Sequence, residues 1–129
     1  MPNLLYALGR IALVAIFLWS GFGKLMAPDA TAAAIASKGL PFAKILAYAA
    51  GAAELILAAL VVIGWQARLA ALGLVAFTLV ATFFFHDFWT MSGDLRRMNQ
   101  IQALKNLGLI GGLLMLAAAG PGRFGLGKK

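Results

Sequence analysis

Four apolar runs, each long enough to cross a bilayer as a helix, leave this chain few folds. They cover residues 4–26, 43–63, 67–86 and 101–119. A hydrocarbon core is spanned by about 20 residues of α-helix. Within it every backbone N–H and C=O must be bonded by the protein itself, so only helices or a closed barrel suffice. Barrel strands alternate polar and apolar residues, and these runs do not. The expected fold is all-α: an integral membrane, antiparallel four-helix bundle, one domain over 1–129.

Composition agrees. The chain is 63% hydrophobic and 12% charged, where soluble domains carry about 25% charged residues. It has no cysteine, which excludes disulfides, Fe–S clusters and thiolate zinc sites. The net charge of +7 would suggest nucleic acid in a soluble protein. Here the basic residues stand singly at the ends of apolar runs, as topology signals and anionic-lipid contacts do. The partner implied is the lipid bilayer, with no nucleic acid.

The first run has an N-terminal charge and an apolar stretch, as a signal peptide does. Lys24 precedes any cleavage site and three more spans follow, so it reads as a transmembrane helix. Beyond it, Asp29 or Thr31 is expected to cap an Ala-rich helical turn through Ser37, ended by Gly39 and Pro41. Gly64-Trp65-Gln66 is a tight turn, and Gly120-Pro121-Gly122 stops the last helix. The Asp87–Gln100 connection holds Phe88, Trp89, Arg96 and Arg97, with Ser92 or Asp94 placed to cap an early start to the fourth helix. Both termini fall on one side of the bundle and the two longer connections on the other. Outside the spans, Arg68, Arg123, Lys128 and Lys129 on the termini side balance Lys38, Lys44, Arg96 and Arg97 on the loop side. The acids Asp29, Asp87 and Asp94 lie on the loop side. The expectation is a multi-pass protein with both termini in the cytoplasm.

The ionisable residues inside the spans are the candidates for function. Glu54 sits near the middle of the second span, where an unpaired carboxylate is costly. Ala47, Ala50, Gly51 and Ala58 share its face, and small residues mark the side on which helices approach. Arg10, Val14, Phe17, Gly21 and Lys24 fall on one face of the first helix. An Arg10–Glu54 ion pair inside the bundle is expected, since an axial gap of roughly 7–8 Å is within reach of two long side chains. It would either fix helix register or serve a ligand or a proton. Thr78, Thr82 and His86 form a stripe on helix three; Lys105, Gly108 and Gly112 form one on helix four that should pack on a neighbour. Lys24, His86, Lys105 and Asn106 should therefore gather at the loop-side mouth of a polar funnel, with Glu54 and Arg10 deeper. A cationic mouth over an apolar bore suits an anionic or carbonyl-bearing amphiphile, with His86 the proton carrier near neutral pH. No metal site is expected from a lone histidine. Ser20 has no evident base partner for nucleophilic chemistry, and no Gly-rich loop follows a strand.

At these residues the chain resembles the DoxX family of small bacterial four-span proteins, within the DoxD-like group. The pieces are Arg10 with Ser20-Gly21-Phe22-Gly23-Lys24, Gly39-Leu40-Pro41, Gly51-Ala52-Ala53-Glu54-Leu55 and Gly64-Trp65-Gln66-Ala67-Arg68. They continue with His86, Lys105-Asn106, Gly111-Gly112-Leu113-Leu114 and Gly120-Pro121-Gly122-Arg123. The resemblance implies a cell inner membrane location and a redox association, since related proteins are named as subunits of quinone-linked oxidoreductases or partners in oxidative-stress complexes. A chain without cysteine or a cofactor motif would then be an accessory subunit rather than an autonomous enzyme. It would bind a quinone, with no covalent cofactor, or anchor a soluble or membrane redox partner. The alternatives are a non-enzymatic anchor or assembly protein, and a small proton-linked transporter that four spans would build as a homo-oligomer.

Overall fold

The spacing of small and apolar residues along each span decides which faces meet. In the structure, a computed structural model describing residues 2–127, α1 (Pro2–Met26) buries Arg10, Val14, Phe17 and Gly21. Their spacing of four, three and four residues is one face of a helix. It meets the matching face of α3 (Ala43–Ile63), which buries Ala47, Gly51, Glu54, Ala58 and Val61. The two backbones approach closely at a pair of glycines: a Cβ on Gly21 would stand 2.8 Å from the Gly51 carbonyl oxygen, and one on Gly51 would stand 2.9 Å from Lys24 Cβ. In lipid such contacts replace the hydrophobic drive as the source of helix association.

From α3 the chain turns through Gly64 (φ 75°) and Gln66 (φ 52°) into α4 (Ala67–Phe85). Two left-handed residues make the turn tight enough to lay α4 directly against α3. α4 buries Ala67, Ala70, Ala71, Leu74 and Thr78, and its other flank packs on α5 (Gly93–Ala119) through Ile110, Leu113 and Leu116. The core is the cluster where these faces meet, centred on Val14, Phe17, Val61, Leu74 and Leu113. The outward faces remain apolar, with Trp19 and Met115 both about three-quarters exposed or more, as lipid contact requires.

The four spanning helices thus pack in the order α1, α3, α4, α5, and α5 returns to touch α1 only lightly. The bundle is tight along three seams and open along the fourth. Gly112 on α5 marks the contact that closes it, set against Leu13 of α1.

Three local expectations need correction. The short helix α2 (Pro28–Ser37), which lies against α3 on the loop side, is capped by neither Asp29 nor Thr31. It starts on Pro28, whose missing N–H costs nothing at a first helical position. The fourth span does begin early, at Gly93, with Ser92 beside its first residue, yet neither Ser92 nor Asp94 supplies a side-chain cap. At 27 residues this helix is about 40 Å long, so its polar first two turns stand clear of a hydrocarbon core about 30 Å thick. Of the expected pair of packing glycines on that helix, only Gly112 meets a neighbour; a Cβ on Gly108 would meet nothing within 4 Å. Lys128 and Lys129 of the basic tail lie outside the described residues.

Candidate functional site

The Gly21–Gly51 contact sets the register of α1 on α3, and that register decides which cation reaches Glu54. Lys24, one turn beyond Gly21, directs its stem back toward the bundle, and its Nζ stands 2.6 Å from Glu54 Oε1. Lys24 also donates to Ser20 Oγ at 2.5 Å, and the Ser20 hydroxyl donates to the same Glu54 oxygen at 3.0 Å. The three side chains form one closed polar cluster between α1 and α3. Glu54 is buried, while the Lys24 side chain keeps 22% of its surface exposed. The carboxylate thus receives two donors deep in the bundle, which offsets the cost of burying its charge.

Arg10 does not pair with Glu54. Its guanidinium lies two helical turns away, beside the last turn of α3, because it donates to the carbonyls of Val61 (2.9 Å) and Val62 (3.2 Å). Val61 is seven residues from Glu54, about 10 Å along the helix. The expected ion pair assumed that the nearer axial offset wins; instead the free carbonyls of a helix C-terminus, with their negative dipole end, take the arginine. The same guanidinium donates to Pro121 O at 2.7 Å and to Phe124 O. The segment after α5 is thereby strapped under the α3–α4 turn, where Leu126 N–H also donates to Ile63 O at 2.9 Å. Arg68 acts similarly at the end of α5, donating to Ala118 O at 2.9 Å.

The remaining candidates form a second, separate polar line between α4 and α5. Asn106 Nδ2 donates to Thr82 Oγ1 at 2.9 Å, and the hydroxyls of Thr82 and Thr78 each donate to the carbonyl one turn earlier. His86 Nδ1 lies 2.9 Å from Asn99 Oδ1, while Asn99 Nδ2 donates to Leu95 O. An amide oxygen only accepts, so in this arrangement His86 Nδ1 is the donor. Above this line, Lys38 Nζ on the α2–α3 connection meets Asp87 Oδ1 at 3.0 Å and ties the two loops together. The hydrogen bond from Lys38 holds the Asp87 carboxyl below the usual carboxylate range.

Lys105 is exposed and enters no ion pair among the described residues. Its position is informative even so. Gly112 touches Leu13, and Lys105 and Ser20 each lie seven residues from that contact toward the loop side, on antiparallel helices. Seven residues are close to two full turns, so Lys105 and Ser20 continue the facing stripes of α5 and α1 at one level. The expected funnel mouth is therefore divided: Lys24 and Glu54 cluster with Ser20 between α1 and α3, His86 and Asn106 lie with Asn99 along the α4–α5 seam, and Lys105 is exposed on α5 apart from both. On the termini side of the Gly112–Leu13 contact, the α1–α5 seam holds a cavity of about 530 Å³ lined by Tyr6, Gly9, Arg10, Leu13, Met115 and Leu116, among others.

Ser20 is the member that sequence reasoning left out. Its signal was present: Ser20 and Lys24 are four residues apart on one helix face, the spacing at which side chains meet. Among the described residues there is no group of three or more His, Asp or Glu side chains able to hold a metal.

Comparison with known proteins fits this architecture. The chain is 36% identical over 125 residues to inner membrane protein YphA of Escherichia coli (strain K12), which covers 97% of this chain and 89% of the relative. Inner membrane protein YqjF of the same organism is 29% identical over 124 residues, 92% of this chain and 86% of that protein. A surfeit locus protein 4 homolog of Schizosaccharomyces pombe (strain 972 / ATCC 24843) is 36% identical over 73 residues, 55% of this chain but 24% of its own length. No solved structure matches the chain. The DoxX family model matches residues 5–87, from the start of α1 through the Lys24–Glu54 cluster to the end of α4, and the chain belongs to the DoxX family of membrane proteins.

Proposed function

We propose that this protein is an inner-membrane accessory subunit that holds a quinone, or a similar carbonyl-bearing amphiphile, in the open α1–α5 seam for a redox-linked membrane complex. The observation that carries the reading is the apolar cavity in that seam, with Lys24 and Lys105 on the loop side of it, beyond the Gly112–Leu13 contact. The ammonium groups of Lys24 and Lys105 are the donors for a ligand carbonyl, and a hydrogen bond to a charged group contributes about 1.5–3 kcal/mol. Leu13, Met115 and Leu116 offer the apolar wall for a tail. Glu54 holds the Lys24 side chain in place, so the donor is oriented before the ligand arrives. The names of the Escherichia coli relatives support the inner-membrane location.

The test is extraction of bound lipids from protein purified in mild detergent, with quinone measured by mass spectrometry. Wild-type protein should retain quinone, and Lys24→Met with Lys105→Met should retain at least about tenfold less while keeping the helical spectrum. Equal retention by the double variant, or no quinone in the wild-type preparation, overturns the reading.

A further inference from the structure

A second groove lies outside the open seam, between α4 and α5 at their loop-side ends. It has a volume of about 380 Å³, and its bore is apolar, lined by Leu79, Leu104, Leu107 and Ile110. One wall is aromatic. Phe83 and Trp89 stand 5.9 Å apart, and Trp89 and Phe88 stand 5.4 Å apart, so three rings make a continuous surface at the upper rim. Gln100 lies at the same rim. From Gln100 to Ile110 the groove runs ten residues along α5, about 15 Å of depth.

The rim is cationic. Arg96 sits over the Phe88 ring at 5.8 Å from its centroid. Arg96 is one turn before Gln100 on the same face of α5, and Arg97 is two turns before Leu104. Both arginines are exposed, and neither meets a carboxylate within ion-pair distance among the described residues. They stand in the polar first turns of α5, at the level where headgroups lie. A positive rim above an open apolar groove, with rings at the boundary, matches one kind of molecule: an anionic phospholipid with a single acyl chain laid between the helices.

We propose that the α4–α5 groove is a specific site for an anionic phospholipid, its phosphate held by Arg96 and Arg97 and one acyl chain lying along Leu79, Leu104 and Leu107. A guanidinium takes phosphate oxygens in a fork geometry that a zwitterionic headgroup meets with its own compensating charge. The site therefore prefers a net negative headgroup. It sits in a different seam from the quinone site and stands or falls separately from it.

Native mass spectrometry of the full chain in mild detergent tests this, with phosphatidylglycerol and phosphatidylcholine of identical chains as probes. Wild-type protein should carry one phosphatidylglycerol with at least about a fivefold preference over phosphatidylcholine, the scale expected of one arginine at a charged headgroup. Arg96→Gln with Arg97→Gln, at exposed positions that leave the fold intact, should abolish the preference. Leu104→Trp, which fills the bore, should lose the bound lipid altogether. Millimolar inorganic phosphate should leave the lipid in place. Absence of preference in the wild type, its persistence in the double glutamine variant, or displacement by free phosphate would each overturn the proposal; the last would mark a simple anion site. The double variant decides the matter even where the tryptophan variant fails to fold.

Discussion

Lys24 and Glu54, 30 residues apart in sequence, meet at 2.6 Å inside the bundle, with Ser20 bonded to both. Neutralising one partner strands the other. Lys24→Met should destabilise the protein by about 3 kcal/mol, because an uncompensated buried carboxylate remains. Lys24→Met combined with Glu54→Leu should recover most of that loss, since an apolar pair of similar volume avoids the desolvation cost. Unfolding in mixed detergent micelles, followed by helical circular dichroism, reads both effects as one double-mutant cycle.

Gly21→Ala and Gly51→Ala should each force α1 and α3 apart. The new methyl on Gly21 would meet backbone at 2.8 Å on two sides, the Gly51 oxygen and the Leu55 nitrogen. Backbone cannot rotate away as a side chain does, so the cost should be about 1–3 kcal/mol. Gly23→Ala, two residues along and open on that side, should be neutral or stabilising, because alanine favours a helix by about 1 kcal/mol over glycine. Thermal midpoints of the three variants in one detergent separate packing from propensity.

The loop latch should titrate. The folded pKa of Asp87 is depressed, chiefly by its hydrogen bond from Lys38. A depressed carboxyl contributes stability that is present above the unfolded pKa, about 4, and lost as pH falls through the lower folded value. The difference in thermal midpoint between wild type and Asp87→Asn should therefore be constant near neutrality and shrink toward zero below about pH 4. A difference that grows on acidification would contradict the latch.

Arg10→Lys should be markedly less stable than wild type, though both residues are cations. The guanidinium donates to four carbonyls, those of Val61, Val62, Pro121 and Phe124. An ammonium has three donors and lacks the planar fork. One buried carbonyl left without its donor costs about 1–3 kcal/mol. Limited proteolysis at Arg123 offers the check: cleavage should be faster in the lysine variant, because the strap over the α3–α4 turn loosens.

Much of this could be read from the sequence, and the exceptions share a cause. The spans, the Gly64 turn and the Gly120 stop follow from hydropathy and glycine placement, which are local properties. The inward-facing stripe of α1, from Arg10 to Lys24, also follows from period alone. The partner of Glu54 does not. Arg10 and Lys24 occupy the same face at different heights, and choosing between them requires the register of α1 on α3, which the Gly21–Gly51 contact sets across 30 residues of chain. The destination of Arg10 was equally hidden, since its acceptors are main-chain carbonyls and any residue type supplies one. Ser20 is legible by its spacing from Lys24, but as a bridging hydroxyl, a role that carries no signature beyond that spacing.

The arginine strap has a consequence for the order in which the protein comes into being. Arg10 is made before all of its acceptors, and two of the four, Pro121 and Phe124, are made more than a hundred residues later. Until they arrive, a guanidinium in the membrane has only part of its bonding. Assembly therefore completes only once the segment after α5 passes beneath the α3–α4 turn, and a chain interrupted before residue 121 would leave the Arg10 guanidinium without two of its four acceptors.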